Sequence, residues 1–238
     1  MILPPEINKN IIFEEKEHKY FTEKGEELLP VSRLISLFKP KFDPDGHIAR
    51  ACSKRDGITV TELRQKWEQT KIDGLARGTS LHRQLEHYIK TGEILEDDYK
   101  DVVQQFSLIK FSGKLYSEIG LNHPVLLIAG TCDVLEILDE KNSCNLLDFK
   151  SNKKIDKESK YGTKLLYPLD YLDDCEIITY GIQLNLYKLM LEFHGFKVKK
   201  MIMYHINPKT RNIDEYIIPK MDKEIKKLTE HYKEMMEF

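Results

Sequence analysis

A chain of 238 residues, 41% hydrophobic, is long enough to bury a sizeable core as one large domain. Its 37 basic and 39 acidic residues nearly cancel, which excludes a globally basic nucleic-acid-binding protein and leaves only a local patch for any polyanion. No run approaches the ~18 apolar residues of a membrane helix, and residues 1–6 show no basic leader, so neither a membrane span nor a signal peptide is expected.

Cys52, Cys132, Cys144 and Cys175 form no C-x-x-C pair, which argues against zinc and leaves reduced thiols as the expectation. In chain order, Ile11 to Leu29 reads as a hairpin, with strands at 11–13 and 19–21 and a turn at 23–26. Pro30-Val31-Ser32 opens a short helix over 33–38 with Ser32 as N-cap, a loop covers 40–46, and helix resumes near His47. Residues 59–90 are helical by period and are expected in two pieces. Gly74 and Arg77-Gly78-Thr79 punctuate the run, and Thr79 or Ser80 caps the second piece. On that second piece His82 and Glu86 lie four apart, on one face. Gly92 ends it, a helix is expected over 97–115, and a strand containing Glu118 over 116–125.

Residues 128–150 read as two strands joined by a polar turn at 139–143. Such a hairpin brings Asp133 beside Asp148. The strand period of two puts Asp148 and Lys150 on one face. Two carboxylates and an amine suit a divalent metal and a phosphate substrate, since carboxylates ligate Mg²⁺ or Mn²⁺ and an ammonium steadies phosphoryl charge. The alternative is a surface hairpin with ordinary charges. Beyond it, residues 150–164 carry six lysines against Asp156 and Glu158. This polar connection reads either as a clamp for a nucleic-acid backbone or as a solvated loop. Lys153, Lys154, Tyr161 and Tyr167 are the residues suited to the clamp, because amines grip phosphate and rings stack on unpaired bases. Residues 177–193 form a helix with Gln183 and Tyr187 four apart and Tyr180 one turn earlier. Strands at 197–207 and 211–218 and an amphipathic helix over 221–238 close the chain.

G-T-C-D-V at 130–134 followed by L-L-D-F-K at 146–150 resembles the metal site of the PD-(D/E)XK nuclease superfamily. R-G-T-S-L-H at 77–82 and Q-L-N-L-Y at 183–187 are similar to the flanking motifs of its RecB-type exonuclease branch, which includes phage and mitochondrial genome-maintenance exonucleases. The resemblance covers roughly residues 20–206. It implies an α/β fold: a restriction-endonuclease-like core with a mixed sheet flanked by helices. One domain would span residues 1–238, with a hairpin and helical part over 1–117 and a catalytic sheet over 118–238. It implies one or two Mg²⁺ or Mn²⁺ ions held by His82, Asp133, Asp148 and the backbone carbonyl of Phe149. Glu86 would stand either in the metal shell or in a salt bridge, Lys150 would position the attacking water, and Gln183 and Tyr187 would brace the site. Tyr180 joins Lys153, Lys154, Tyr161 and Tyr167 as expected DNA contacts. Members of the family use an acid near Glu118 inconsistently, so Glu118 stays a candidate outside the main ligand set. The four-cysteine pattern of iron–sulfur relatives does not match, so no such cluster is expected.

The function implied is hydrolysis of phosphodiester bonds in DNA, with an exonuclease on single strands or free ends preferred. A structure-specific endonuclease or a non-catalytic DNA-binding module is the alternative. A bacterial or phage-infected cytoplasm is the expected setting. With no G-x-x-x-x-G-K-[ST] string, any unwinding would come from a helicase or recombination partner.

Overall fold

The computed structural model describes residues 11–14, 17, 19–138 and 142–236. The N-terminal residues read for a leader, part of the turn at 139–143 and the last two residues lie outside that set.

Eight strands form one mixed sheet: β1 Ile11–Glu14, β2 Lys19–Thr22, β3 Glu27–Pro30, β4 Lys114–His123, β5 Ile128–Ile137, β6 Ser143–Lys150, β7 Lys197–Ile206 and β8 Ile213–Ile218. The order runs β1-β2-β3-β5-β6-β7-β8, with β4 on the other edge of β5. The β3/β5 and β6/β7 pairs are parallel and the rest antiparallel. The N-terminal hairpin therefore has a third strand, β3, which docks it onto the sheet.

Side chains of the central strands divide between two cores, as a sheet covered on both faces requires. On β6, Cys144 and Leu146 enter one core and Leu147 and Phe149 the other; on β7, Met201 and Met203 oppose Ile202, Tyr204 and Ile206. Among the described residues six helices complete the fold: α1 Val31–Leu37, α2 His47–Asp56, α3 Val60–Thr91, α4 Lys100–Ser107, α5 Glu176–Phe193 and α6 Asp222–Met236. Helices α1, α5 and α6 pack into the first core, and the end of α3, through Leu81 and Leu85, packs with α4 into the second. No helix among the described residues is long and apolar enough to cross a membrane.

Three expectations are corrected. The run over 59–90 is one helix of 32 residues, not two, with Thr59 and Glu62 forming a capping box; Thr79 and Ser80 lie inside it and cap nothing. An interior glycine costs only about 1 kcal/mol relative to alanine, which this cap and the burial of Leu81 and Leu85 outweigh. Helix α1 starts at Val31 with Pro30 as its N-cap, so Ser32 is internal. The helix expected over 97–115 is only α4, and β4 begins at Lys114. The break has a cause on β5. Buried Glu136 accepts the backbone N–H groups of Ser112 (2.6 Å) and Gly113 (2.9 Å), spending on the loop the donors a helix would use.

Candidate metal centre

The site lies in a fork of the sheet. Along one edge of β5, residues 128–129 pair with β3 and residues 134–137 pair with β6. Between them, 130–133 pair with neither. Asp133 sits in this gap, and its Oδ2 accepts the N–H of Phe149 at 2.6 Å. The last ladder pair is Val134 with Leu147, so one further step of the register sets Asp133 against Asp148, the proximity the hairpin reading required.

His82 reaches the fork from α3. Its Nε2 lies 3.2 Å from the carbonyl oxygen of Phe149, an atom that can only accept, so Nε2 carries the hydrogen. In the neutral ring Nδ1 then holds a lone pair, and it faces Asp133 Oδ1 at 3.5 Å. A lone pair facing a carboxylate is satisfied by a cation between them or by a proton on Nδ1. A backbone carbonyl fixing the far N–H is the usual support of a metal-bound imidazole. The Phe149 carbonyl, expected as a ligand, thus has His82 as its observed partner.

Glu118 completes the group: one ligand atom from each of His82, Glu118 and Asp133 lies within 4.8 Å of the others. Glu118 stands on β4 opposite Asp133, and ladder pairs flank this position on both sides (Ser117 with Val134, Ile119 with Cys132) while the position itself is unpaired. Its backbone is left-handed, φ +52°, an uncommon and strained state for a side chain of this kind. Burial, and then the neighbouring Asp133 carboxylate, push the Glu118 carboxyl up to about 7. Two carboxylates that repel one another and an imidazole lone pair fit Mn²⁺ or Mg²⁺ as a donor set, with the imidazole favouring the softer Mn²⁺.

Asp148 and Lys150 lie on the α5 side of β6. Asp148 is 1% exposed and its Oδ2 is 2.5 Å from Lys150 Nζ. Burial raises the Asp148 carboxyl to about 6 against the pull of Lys150. Burial alone would lower the Lys150 ammonium, but Asp148 and then Asp133 outweigh it, so the amine stays charged. The ammonium lies 4.9 Å from the centre of the Tyr180 ring. The Tyr180 hydroxyl accepts from Asn152 Nδ2 at 2.7 Å, and the Asn152 carbonyl meets His205 Nε2 at 2.8 Å. Tyr180, expected against DNA, packs against the lysine. Gln183 Nε2 donates to the Tyr187 hydroxyl at 3.1 Å, and Tyr187 is buried beneath β5. A Cβ on Gly130 would come within 2.7 Å of Tyr187 Cε1, so that glycine is what lets the ring approach the strand.

The remaining expected residues spread outward. Glu86 is ion-paired with Lys90, one turn beyond His82. Lys153 lines a cleft together with His82 and Lys150. Lys154 is 2.5 Å from Asp156. Tyr161 is 60% exposed on the wall of a separate cavity of about 780 Å³ that Tyr180 also lines. Tyr167 stands edge-on to His231 at 5.0 Å, on the α6 side. Glu118 is the site residue that sequence reasoning set aside. Its signal was the antiparallel pairing of β4 with β5, which fixes 118 opposite 133.

No family model matches this chain, and no curated protein matches it. Among solved structures, the crystal structure of SSO0001 is similar at 18% identity, covering 87% of this chain and 75% of that one with a TM-score of 0.40. A likeness at that level supports no conclusion about fold or function.

Proposed function

We propose that this chain is a divalent-metal-dependent nuclease with a restriction-endonuclease-like core, hydrolysing phosphodiester bonds in DNA. The observation that carries the reading is the convergence of His82, Glu118 and Asp133 within 4.8 Å, beside a partly buried lysine paired with Asp148. His82, Glu118 and Asp133 would hold the ion, and Asp148 would stand behind them. Mg²⁺ or Mn²⁺ there supplies Lewis acidity to a phosphoryl oxygen and acidifies a bound water. Lys150, kept charged by Asp148, orients the attacking water and opposes the charge that builds on the phosphate. The water oxygen bonds to phosphorus and gives up a proton to solvent, the P–O ester bond breaks, and the leaving oxygen takes up a proton from solvent. Tyr180 and Asn152 hold the ammonium in place, and Gln183 with Tyr187 braces β5 under the fork.

The exonuclease form rests on the order of the three sequence motifs. Its test uses end-labelled linear and closed circular DNA, single- and double-stranded, with Mg²⁺, Mn²⁺ or chelator. Metal-dependent loss of linear single strands with circles intact is the expected result. Cleaved circles would make the chain an endonuclease, and no hydrolysis under any metal would overturn the reading.

A further inference from the structure

A cleft of about 410 Å³ opens beside the metal centre, between residues 70–77 of α3 and the segment that leaves β6. It shares His82, Phe149 and Lys150 with that centre. Its other charged walls are Lys71, Arg77 and Lys153, and no carboxylate lines it. That is unusual for a chain whose acids and bases balance overall. Arg77 is the informative member. Its Nε is fully buried and has no hydrogen-bond partner among the described residues. The guanidinium folds over Gly74, whose missing Cβ would stand 3.8 Å from Nη2. A buried guanidinium N–H left without an acceptor is unfavourable, so such a group is expected where a ligand supplies the acceptor. Arginine's planar fork suits phosphate oxygens in particular. Leu75, 63% exposed on the rim, gives the same cleft an apolar surface.

We infer that this cleft is a phosphate clamp. Resting on the nuclease reading above, it takes the backbone phosphate next to the one being hydrolysed, on a single DNA strand. Arg77 donates to that phosphate, Lys153 closes over it, and the sugar and base lie against Leu75. The clamp sets the register of the strand on the metal without ligating the ion.

The test is binding of a fluorescent single-stranded oligonucleotide of about a dozen nucleotides in Ca²⁺, across a salt series. Wild type is compared with Arg77→Met, Arg77→Lys and Lys153→Met, and Mn²⁺ titration calorimetry is run on each. Arg77→Met should weaken binding about tenfold and flatten the plot of log Kd against log salt by about 0.7, the loss of one phosphate contact on a single strand. Arg77→Lys should restore the slope but not the full affinity. Lys153→Met, at a surface position that folding tolerates, should flatten the slope similarly. Mn²⁺ binding should be unchanged in all three. Unaltered affinity and slope in both methionine variants, with wild type binding normally, overturns the clamp and leaves the nuclease reading standing. A wild-type chain that binds Mn²⁺ but no oligonucleotide overturns both.

Discussion

Glu118 and Asp133 face one another across β4 and β5 at the position where those strands leave their ladder, and Glu118 is left-handed there at φ +52°. Two carboxylates are thus brought together at the cost of backbone strain, with His82 Nδ1 3.5 Å from Asp133. Without a cation this arrangement is self-repelling. With one it is a coordination sphere.

The repulsion fixes a pH dependence. Glu118 is raised to about 7 from 4.5, so the folded chain holds its proton where the unfolded chain has released it. The stabilisation is complete below about pH 4.5 and is lost as pH rises through 7; it amounts to on the order of 3 kcal/mol. Asp148, raised to about 6 from 3.8, acts with the same sign over a lower window. The metal-free protein should therefore melt higher at pH 5 than at pH 7.5, measured in chelator. Saturating Mn²⁺ should raise the melting temperature more at pH 7.5 than at pH 5, where Glu118 holds a proton. Glu118→Gln should remove most of the slope between pH 5 and 7.5 and weaken Mn²⁺ binding about tenfold or more. A titration unaltered in that variant would exclude Glu118 as a ligand.

Lys150 carries the chemical step. Lys150→Met should lower turnover about 10²–10³-fold or more while Mn²⁺ binding and single-strand binding in Ca²⁺ change little. The lost partner leaves Asp148 buried, so its carboxyl should move further up and the variant should be more stable at acid pH relative to neutral pH than wild type is. Turnover at the wild-type rate would remove lysine from the mechanism.

The hairpin of β5 and β6 was legible because strand alternation and a polar break are local signals. They bring Asp133 and Asp148 to adjacent register positions and Asp148 beside Lys150, but Asp148, expected as a ligand, pairs with Lys150, and it is Glu118 that stands with His82 and Asp133. His82 was legible as one face of a helix, although the helix itself was cut in two on the strength of Gly74 and Gly78. What keeps it whole is tertiary: Leu81 and Leu85 are fully buried against the sheet, and Gly78 lies close to Ser151. Glu118 was not legible as a ligand because its role depends on the pairing of two strands and on a backbone conformation that no local propensity favours. The end of α4 was likewise hidden, because Glu136, 23 residues away in sequence, captures the Gly113 N–H. Tyr180 was placed on the correct helix but given a surface role. Its half-buried ring instead lies 4.9 Å from the Lys150 ammonium, a contact between β6 and α5 that no local pattern announces.

Tyr180 acts through Lys150, and two variants separate that role from DNA contact. Tyr180→Phe keeps the ring under the ammonium but drops the Asn152 bond; it should cost about 1 kcal/mol of stability and little turnover. Tyr180→Ala removes the ring, worth on the order of 1 kcal/mol to a cation above it, and frees the ammonium. Its kcat should fall roughly tenfold with oligonucleotide Kd in Ca²⁺ unchanged. A rise in Kd with kcat intact would return Tyr180 to the substrate surface.

Tyr187 supports the fork from beneath, and Gly130 is where that support is tight. An alanine at 130 would put its Cβ 2.7 Å from Tyr187 Cε1 and 3.1 Å from the hydroxyl that Gln183 bonds. Tyr187 is buried, 5% exposed. Overpacking of this kind costs about 1–3 kcal/mol, so Gly130→Ala should lower the urea midpoint by a corresponding amount without changing the m-value. Tyr187→Leu alone should also destabilise, by leaving a void and an unpaired Gln183 amide. The double variant should be more stable than the two losses added together, because the smaller leucine relieves the alanine clash. Strictly additive losses would mean that Gly130 and Tyr187 do not meet, and that the fork is held open by the strands alone.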